Sequence, residues 1–177
     1  MPKIVVISGS LHPMSRSRVL ARHTVDTLAS MQVEADFVDL RDVPMELCDG
    51  AGGGKTEAVL ALGARIAAAG AVIVSVPIYV YDVNAAIKNL VELTGRSWTD
   101  KPVGLLCAAG GRSSYMSVMA FANSLMLDFR CLIVPRFVYA TGDDFGDDRT
   151  ESMHIASDEL RDRLDDLARS IVHLCRP

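Results

Sequence analysis

Residues Ser8–Arg18 read SGSLHPMSRSR, which puts four hydroxyls (Ser8, Ser10, Ser15, Ser17), one histidine (His12) and two arginines (Arg16, Arg18) into one short stretch. An apolar run, Ile4–Ile7, precedes it, and a helical pattern begins near Val19. The stretch is therefore expected to link a buried strand to a helix. A helix N-terminus presents unpaired backbone N–H groups and the positive end of the helix dipole. Hydroxyls and cationic side chains added at that end make a phosphate the natural guest.

Two further stretches carry unusual chemistry. Residues 77–84, PIYVYDVN, are apolar and aromatic, which suits the edge or face of a flat ring. Ala109–Arg112, AGGR, has consecutive glycines (Gly110, Gly111) that let backbone N–H groups approach a ligand closely. The run GAGGGKT at 50–56 is less informative. A phosphate-binding P-loop needs G-x-x-x-x-G-K-[ST], and the first glycine would fall at Asp49. It is read as a flexible loop with Thr56 capping the next helix.

These stretches need elements to position them, and the chain alternates accordingly. Strands are expected at Lys3–Ile7, Gln32–Leu40, Ala71–Val76 (ended by Pro77), Val103–Ala108 and Cys131–Val134, with Phe137–Tyr139 as a candidate resumption of the fifth. Helices are expected at Val19–Met31, Glu57–Ala69, Val83–Thr94 (with Gly95 at its end), Tyr115–Phe129 (capped by Ser113 or Ser114) and Ser157–Cys175. Arg41–Thr56 and the acidic Gly142–Met153 are expected loops. Five short strands alternating with five helices predict a doubly wound α/β fold: a five-stranded parallel sheet in the order 2-1-3-4-5, helices on both faces, as a single domain over 1–177. That order brings Ser8–Arg18, 77–83 and 109–114 together at the carboxyl ends of adjacent central strands, where open α/β sheets bind ligands. A planar ring carrying a phosphate on a chain suits all three loops, and flavin mononucleotide (FMN) is the obvious candidate.

The motifs resemble those of the NAD(P)H-dependent FMN reductase family, flavodoxin-like reductases of flavins, quinones and azo compounds. Gly9, Ser10, His12, Ser15 and Ser17 follow the family pattern G-S-x-R-x-x-S-x-[ST], with His12 standing where the family usually has Arg. Pro77, Ile78, Tyr79 and Lys88 follow its P-x-Y and G-x-L-K elements, although Asn84 and Ala85 stand where the family often has Ser or Pro and then Gly. Ala109, Gly110 and Gly111 match its third loop. The resemblance implies Ser10, His12, Ser15, Arg16 and Ser17 around the FMN phosphate. It implies Pro77, Ile78, Tyr79 and Val80 beside the ring system, and Ala109, Gly110, Gly111 and Arg112 along its other edge. It also implies reduction by NADPH or NADH, with electrons passing to a small-molecule acceptor such as free flavin, a quinone or an azo compound. No catalytic acid or nucleophile is needed, because the cofactor carries the chemistry. Arg16, Arg18 and Arg112 are candidates for the extra phosphate of NADPH, since Arg suits phosphate geometry.

The rival is a flavodoxin-type electron carrier, which shares the fold and FMN but serves a protein partner. Other classes lack their signatures. There is no G-x-G-x-x-G after the first strand, no acid at the ends of the first or third strand, no G-x-S-x-G and no metal-ligand spacing. The composition is globular, half apolar with 23% charged residues, and the net charge is −4. No basic stripe suggests nucleic acid, and no apolar run suggests a membrane span. The four cysteines (Cys48, Cys107, Cys131, Cys175) are far apart in sequence and read as reduced thiols of a cytoplasmic protein. In the fourth helix, apolar side chains nearly encircle the axis, from Met116 and Met119 to Met126, Leu127 and Phe129. That pattern predicts a homodimer or tetramer built through this helix.

Overall fold

The structure, a computed structural model, describes residues 3–52 and 54–175, so Gly53 of the glycine run and the chain ends lie outside it. In chain order the elements are β1 (Ile4–Ser8), α1 (Arg16–Ser30), β2 (Ala35–Asp39), α2 (Glu57–Ala68), β3 (Ala71–Tyr79), β4 (Asp82–Val83), α3 (Ala85–Thr94) and β5 (Pro102–Ala108). There follow α4 (Met119–Phe129), β6 (Leu132–Ile133), β7 (Val138–Ala140), β8 (Phe145–Gly146), β9 (His154–Ile155) and α5 (Asp158–Leu174). The sheet runs β2-β1-β3-β5-β6, with β7 pairing the far end of β5. Counting β6 and β7 as one interrupted strand, this is the order expected.

The central strands alternate between two cores. Val5, Ile7, Val72, Val74 and Val76 face α2, α3 and α4, while Ile4, Val6, Ala71 and Ile73 face α1 and α5. Because both faces are covered, these strands are continuous β-branched runs with no polar alternation. Gly104 in β5 leaves room for α5, since a Cβ there would lie 2.8 Å from Leu167 Cδ2.

Several boundaries differ from expectation. α1 starts at Arg16, three residues early, because Ser15 caps it: its Oγ accepts from the Arg18 N–H. β3 does not stop at Pro77 but continues to Tyr79 and turns back into β4. The helix before Phe129 begins as a tight 3-10 segment, Arg112–Val118, and becomes α-helical only at Met119. Neither Ser113 nor Ser114 caps it; the Ser114 hydroxyl is bonded to the Tyr139 hydroxyl instead. The acidic loop is an ordered strap, tied by the β8–β9 pair and by a capping box in which Asp144 closes on Thr141. Thr56 caps α2 and Gly95 ends α3 with φ +45°, both as expected. No described helix is long and apolar enough to cross a membrane.

Candidate functional site

The loops after β1, β3 and β5 meet at the carboxyl edge of the sheet around a cleft of about 170 Å³. Ser10, Ser15, Arg16, Ser17, Pro77, Ile78, Tyr79, Ala109 and Gly110, nine of the thirteen expected residues, line it. Pockets that enclose a whole drug-sized ligand hold roughly 300–1,000 Å³, so this cleft suits the phosphate end of a ligand. Its floor is made of buried hydroxyls at the α1 N-terminus. Ser15 Oγ and Ser17 Oγ lie 2.8 Å apart, and Ser10 Oγ accepts from the His12 N–H. The Ser75 hydroxyl donates to the Ser17 carbonyl at 2.6 Å, holding the first turn against β3. Ser8 Oγ, buried at the foot of the same loop, has no hydrogen-bond partner among the described residues. Adjacent hydroxyls that bond to one another, set on a helix N-terminus, are donors available to an anion, and this set fits a phosphate monoester.

The loop itself is held by Arg18, a residue that sequence reasoning considered only as a contact for nucleotide phosphate. Its guanidinium is buried and faces inward. It donates to the carbonyls of Pro13 (2.6 Å) and His12 (3.1 Å) and, more weakly, of Ser10 (3.5 Å), and pairs with Asp39 at 2.6 Å. These bonds fix the course of the loop from Ser10 to Pro13. Burial would raise the Asp39 carboxyl, but hydrogen bonds from Arg41 and Arg18 outweigh it and hold Asp39 below the usual carboxylate range.

At the ring end, β3 and β4 form a hairpin with Ile78 opposite Val83 and Tyr79 opposite Asp82. The two turn residues, Val80 (φ +51°) and Tyr81 (φ +60°), are left-handed and lie 98% and 68% exposed. A two-residue hairpin needs that twist, normally from Asn or Gly. A β-branched residue there is a strained choice of the kind that clusters at functional sites. Val80 thus sits at the tip of the hairpin, outside the cleft.

Asn84 explains how Pro77 sits inside a sheet. The Gly9 N–H donates to the Ser75 carbonyl, so the next rung would run from residue 77 to the Gly9 carbonyl. Pro77 has no N–H to give. Asn84 Nδ2 takes its place, donating to the Gly9 carbonyl at 2.7 Å, and its Oδ1 is left buried without a partner among the described residues. Gly9 is packed closely there: a Cβ would lie 2.4 Å from Ile87 Cγ1.

The strap closes the other side. Arg16 reaches out of α1 to make two bonds to Asp148, at 2.8 and 2.6 Å, and one to the Ala109 carbonyl at 3.1 Å. The guanidinium holds the Asp148 carboxyl below its ordinary range. Arg149, which sequence reasoning passed over, lines the cleft and donates to the Met14 carbonyl. His12, Val80, Gly111 and Arg112 do not line it. The His12 ring turns back on its own loop, its Nδ1 3.0 Å from the Met14 N. The Gly111 carbonyl accepts from the Tyr139 hydroxyl, and Arg112 faces a neighbouring cavity with Tyr115, Tyr139 and Arg163. Among the described residues no group of three or more His, Cys, Asp or Glu could hold a metal ion.

Residues 2–145 match the family described as NADPH-dependent FMN reductase. The chain belongs to that family. It is a flavin-dependent oxidoreductase that works with FMN and a reduced nicotinamide nucleotide. Among relatives of this reductase, an NADPH azoreductase from Bacillus sp. (strain OY1-2) is 27% identical over 166 residues, covering 90% of each chain. An NAD(P)H-dependent FAD/FMN reductase from Geobacillus thermodenitrificans (strain NG80-2) is 26% identical over 148 residues, 81% of this chain and 76% of that one. The fold is shared with the flavoenzyme NAD(P)H:(acceptor) oxidoreductase of Paracoccus denitrificans, at a TM-score of 0.72, 20% identity and 98% coverage of both chains.

Proposed function

We propose that this reductase holds FMN with its phosphate on the α1 N-terminus and its ring between the β3–β4 hairpin and the loop after β5, and that it passes electrons from NADPH or NADH to a small acceptor such as free flavin, a quinone or an azo compound. The observation that carries the reading is the convergence of three loops from adjacent strands on a cleft floored by Ser10, Ser15 and Ser17. Bound there, the flavin supplies hydride acceptance and electron transfer, and the protein supplies position. Ser10, Ser15 and Ser17 with the α1 amides hold the phosphate. Arg16 fixes strap and third loop together, and Pro77–Tyr79 with Ala109–Gly110 set the walls.

An electron carrier for a protein partner is the second reading. The relatives named as flavin and azo reductases favour a small acceptor. Met116, Met119, Met126 and Leu127, all at least 40% exposed, support a homodimer or tetramer formed through α4, because so much clustered apolar surface favours an interface. Four free thiols, two of them buried, accord with a cytoplasmic setting. Stopped-flow reduction of the FMN-loaded protein with NADPH and with NADH, then mixing with a panel of acceptors, tests the function. Reduction by neither nucleotide would sink it, and reoxidation by a carrier protein but by no small acceptor would favour the second reading.

A further inference from the structure

The structure assigns Arg149 as the cation of the FMN phosphate site, where position 12 of the first loop holds a histidine turned away from the cleft. The inference rests on the FMN reading above and concerns a residue beyond the stretch that matches the family, which ends at residue 145. Among the described residues two charged side chains line the cleft, Arg16 and Arg149. The Arg16 guanidinium is spent: all its bonds go to Asp148 and the Ala109 carbonyl, and Asp148 cancels its charge. The Arg149 side chain makes one hydrogen bond among the described residues, from Nη1 to the Met14 carbonyl at 2.9 Å, and forms no direct ion pair there, although its charge and its backbone N–H also help to hold the Asp148 carboxyl down. It is therefore the lining guanidinium that keeps donors to spare. His12 cannot fill that role as placed, since its ring closes on Met14 outside the cleft.

The strap is built to deliver this group. Arg149 and the preceding Asp147 take left-handed backbone angles, φ +63° and +49°, and between them Asp148 locks onto Arg16 at the first turn of α1. Gly142 permits that lock, since a Cβ there would lie 2.7 Å from Arg16 Nη2. The hydrogen bond to Met14 then sets the Arg149 guanidinium against the phosphate loop. A guanidinium is suited to a phosphate by shape as well as charge.

The test is equilibrium binding read by quenching of flavin fluorescence, with FMN and with riboflavin, which lacks the phosphate. Arg149→Gln keeps a donor for the Met14 carbonyl and removes the charge. It is expected to weaken FMN by about ten- to a hundred-fold, the loss of one charge-assisted bond, and to move riboflavin less than about threefold. Arg149→Lys should recover part of the FMN affinity, and His12→Ala should change it by no more than about twofold. FMN affinity of Arg149→Gln within threefold of wild type overturns the assignment, as does an equal loss for riboflavin or a large loss confined to His12→Ala. Wild-type protein with no saturable FMN binding would instead overturn the reading on which it rests.

Discussion

Replacing Arg18 by Met separates the stability of the fold from the shape of the phosphate loop. The buried Arg18–Asp39 pair is joined by a partly exposed Arg41, which keeps its bonds to Asp39 when Arg18 is gone. Breaking a buried pair by removing one partner costs about 3–5 kcal/mol, and the surviving Arg41 puts this case near the lower figure. Adding Asp39→Leu removes the stranded carboxylate and fills the space with apolar surface, an exchange that is often neutral overall. It also removes the Asp39 cap of the Arg41 N–H, so about 1 kcal/mol of deficit should remain. The loop is not rescued, because the carbonyls of Ser10, His12 and Pro13 still lack their donor. Losing one charge-assisted bond's worth of loop order, about 1.5 kcal/mol, corresponds to at least a tenfold loss of FMN affinity. Urea unfolding gives the first quantity and fluorescence titration with FMN the second. A double variant that regains stability and also binds FMN like the wild type would refute the claim that Arg18 shapes the loop.

Four further outcomes are expected. Ser15→Ala with Ser17→Ala should lower FMN affinity at least tenfold, each hydroxyl giving up a bond to a charged group worth roughly 1.5–3 kcal/mol, and should cost about 1 kcal/mol of stability through the lost α1 cap; unchanged affinity in the folded variant would put the phosphate elsewhere. The stabilisation that wild type holds over Asp148→Asn should be full above the ordinary aspartate value of about 3.9 and vanish as pH falls through the lower folded value, because Arg16 depresses the Asp148 carboxyl; melting temperatures between pH 2 and 7 check the direction. Burial pushes the thiols of Cys107 and Cys131 up to about 12 and about 11, so at pH 8 a thiol reagent should modify Cys48 and leave those two until the protein unfolds. Light scattering on a sizing column should give a dimer or tetramer that Met119→Asp dissociates; a single species of 19.1 kDa at tens of micromolar would dismiss the α4 interface.

What the sequence revealed and what it hid divide along the range of the interactions involved. The strands could be read because burial on both faces makes each a contiguous β-branched run, as in Ile4–Ile7 and Ala71–Val76. Ser10, Ser15 and Ser17 could be read because a helix N-terminus with hydroxyls is a local pattern. The left-handed turn at Val80 and Tyr81 could not, since Pro77 reads as the end of the strand and neither turn residue is the Gly or Asn that marks a hairpin. Arg18 was visible, but its direction was not: whether a guanidinium faces solvent or the carbonyls of its own loop depends on Asp39, which β2 brings alongside β1. The strap was hidden more fully. Asp148 and Arg149 sit in a run of acids that reads as a solvated loop, and their partners Arg16 and Met14 are more than 130 positions away.

Asn84 shows why such residues escape pattern reading even when the pattern marks them as odd. By motif it is a departure at the start of α3, where Ser or Pro is usual. Its role depends on three facts that no short window contains. Parallel register sets the Gly9 carbonyl where residue 77 should donate, residue 77 is a proline, and the β3–β4 hairpin returns the chain so that position 84 faces that carbonyl. Given those, an amide is the side chain that restores the missing rung, and the first and second loops of the site become one unit. Asn84→Ala should therefore cost more than a helix cap, because it strands a buried carbonyl: about 1–3 kcal/mol. Asn84→Asp should cost at least as much, since a carboxylate presents only acceptors to Gly9. If urea unfolding finds Asn84→Asp as stable as wild type at neutral pH, the amide is not completing the ladder, and the coupling of the two loops must be sought elsewhere.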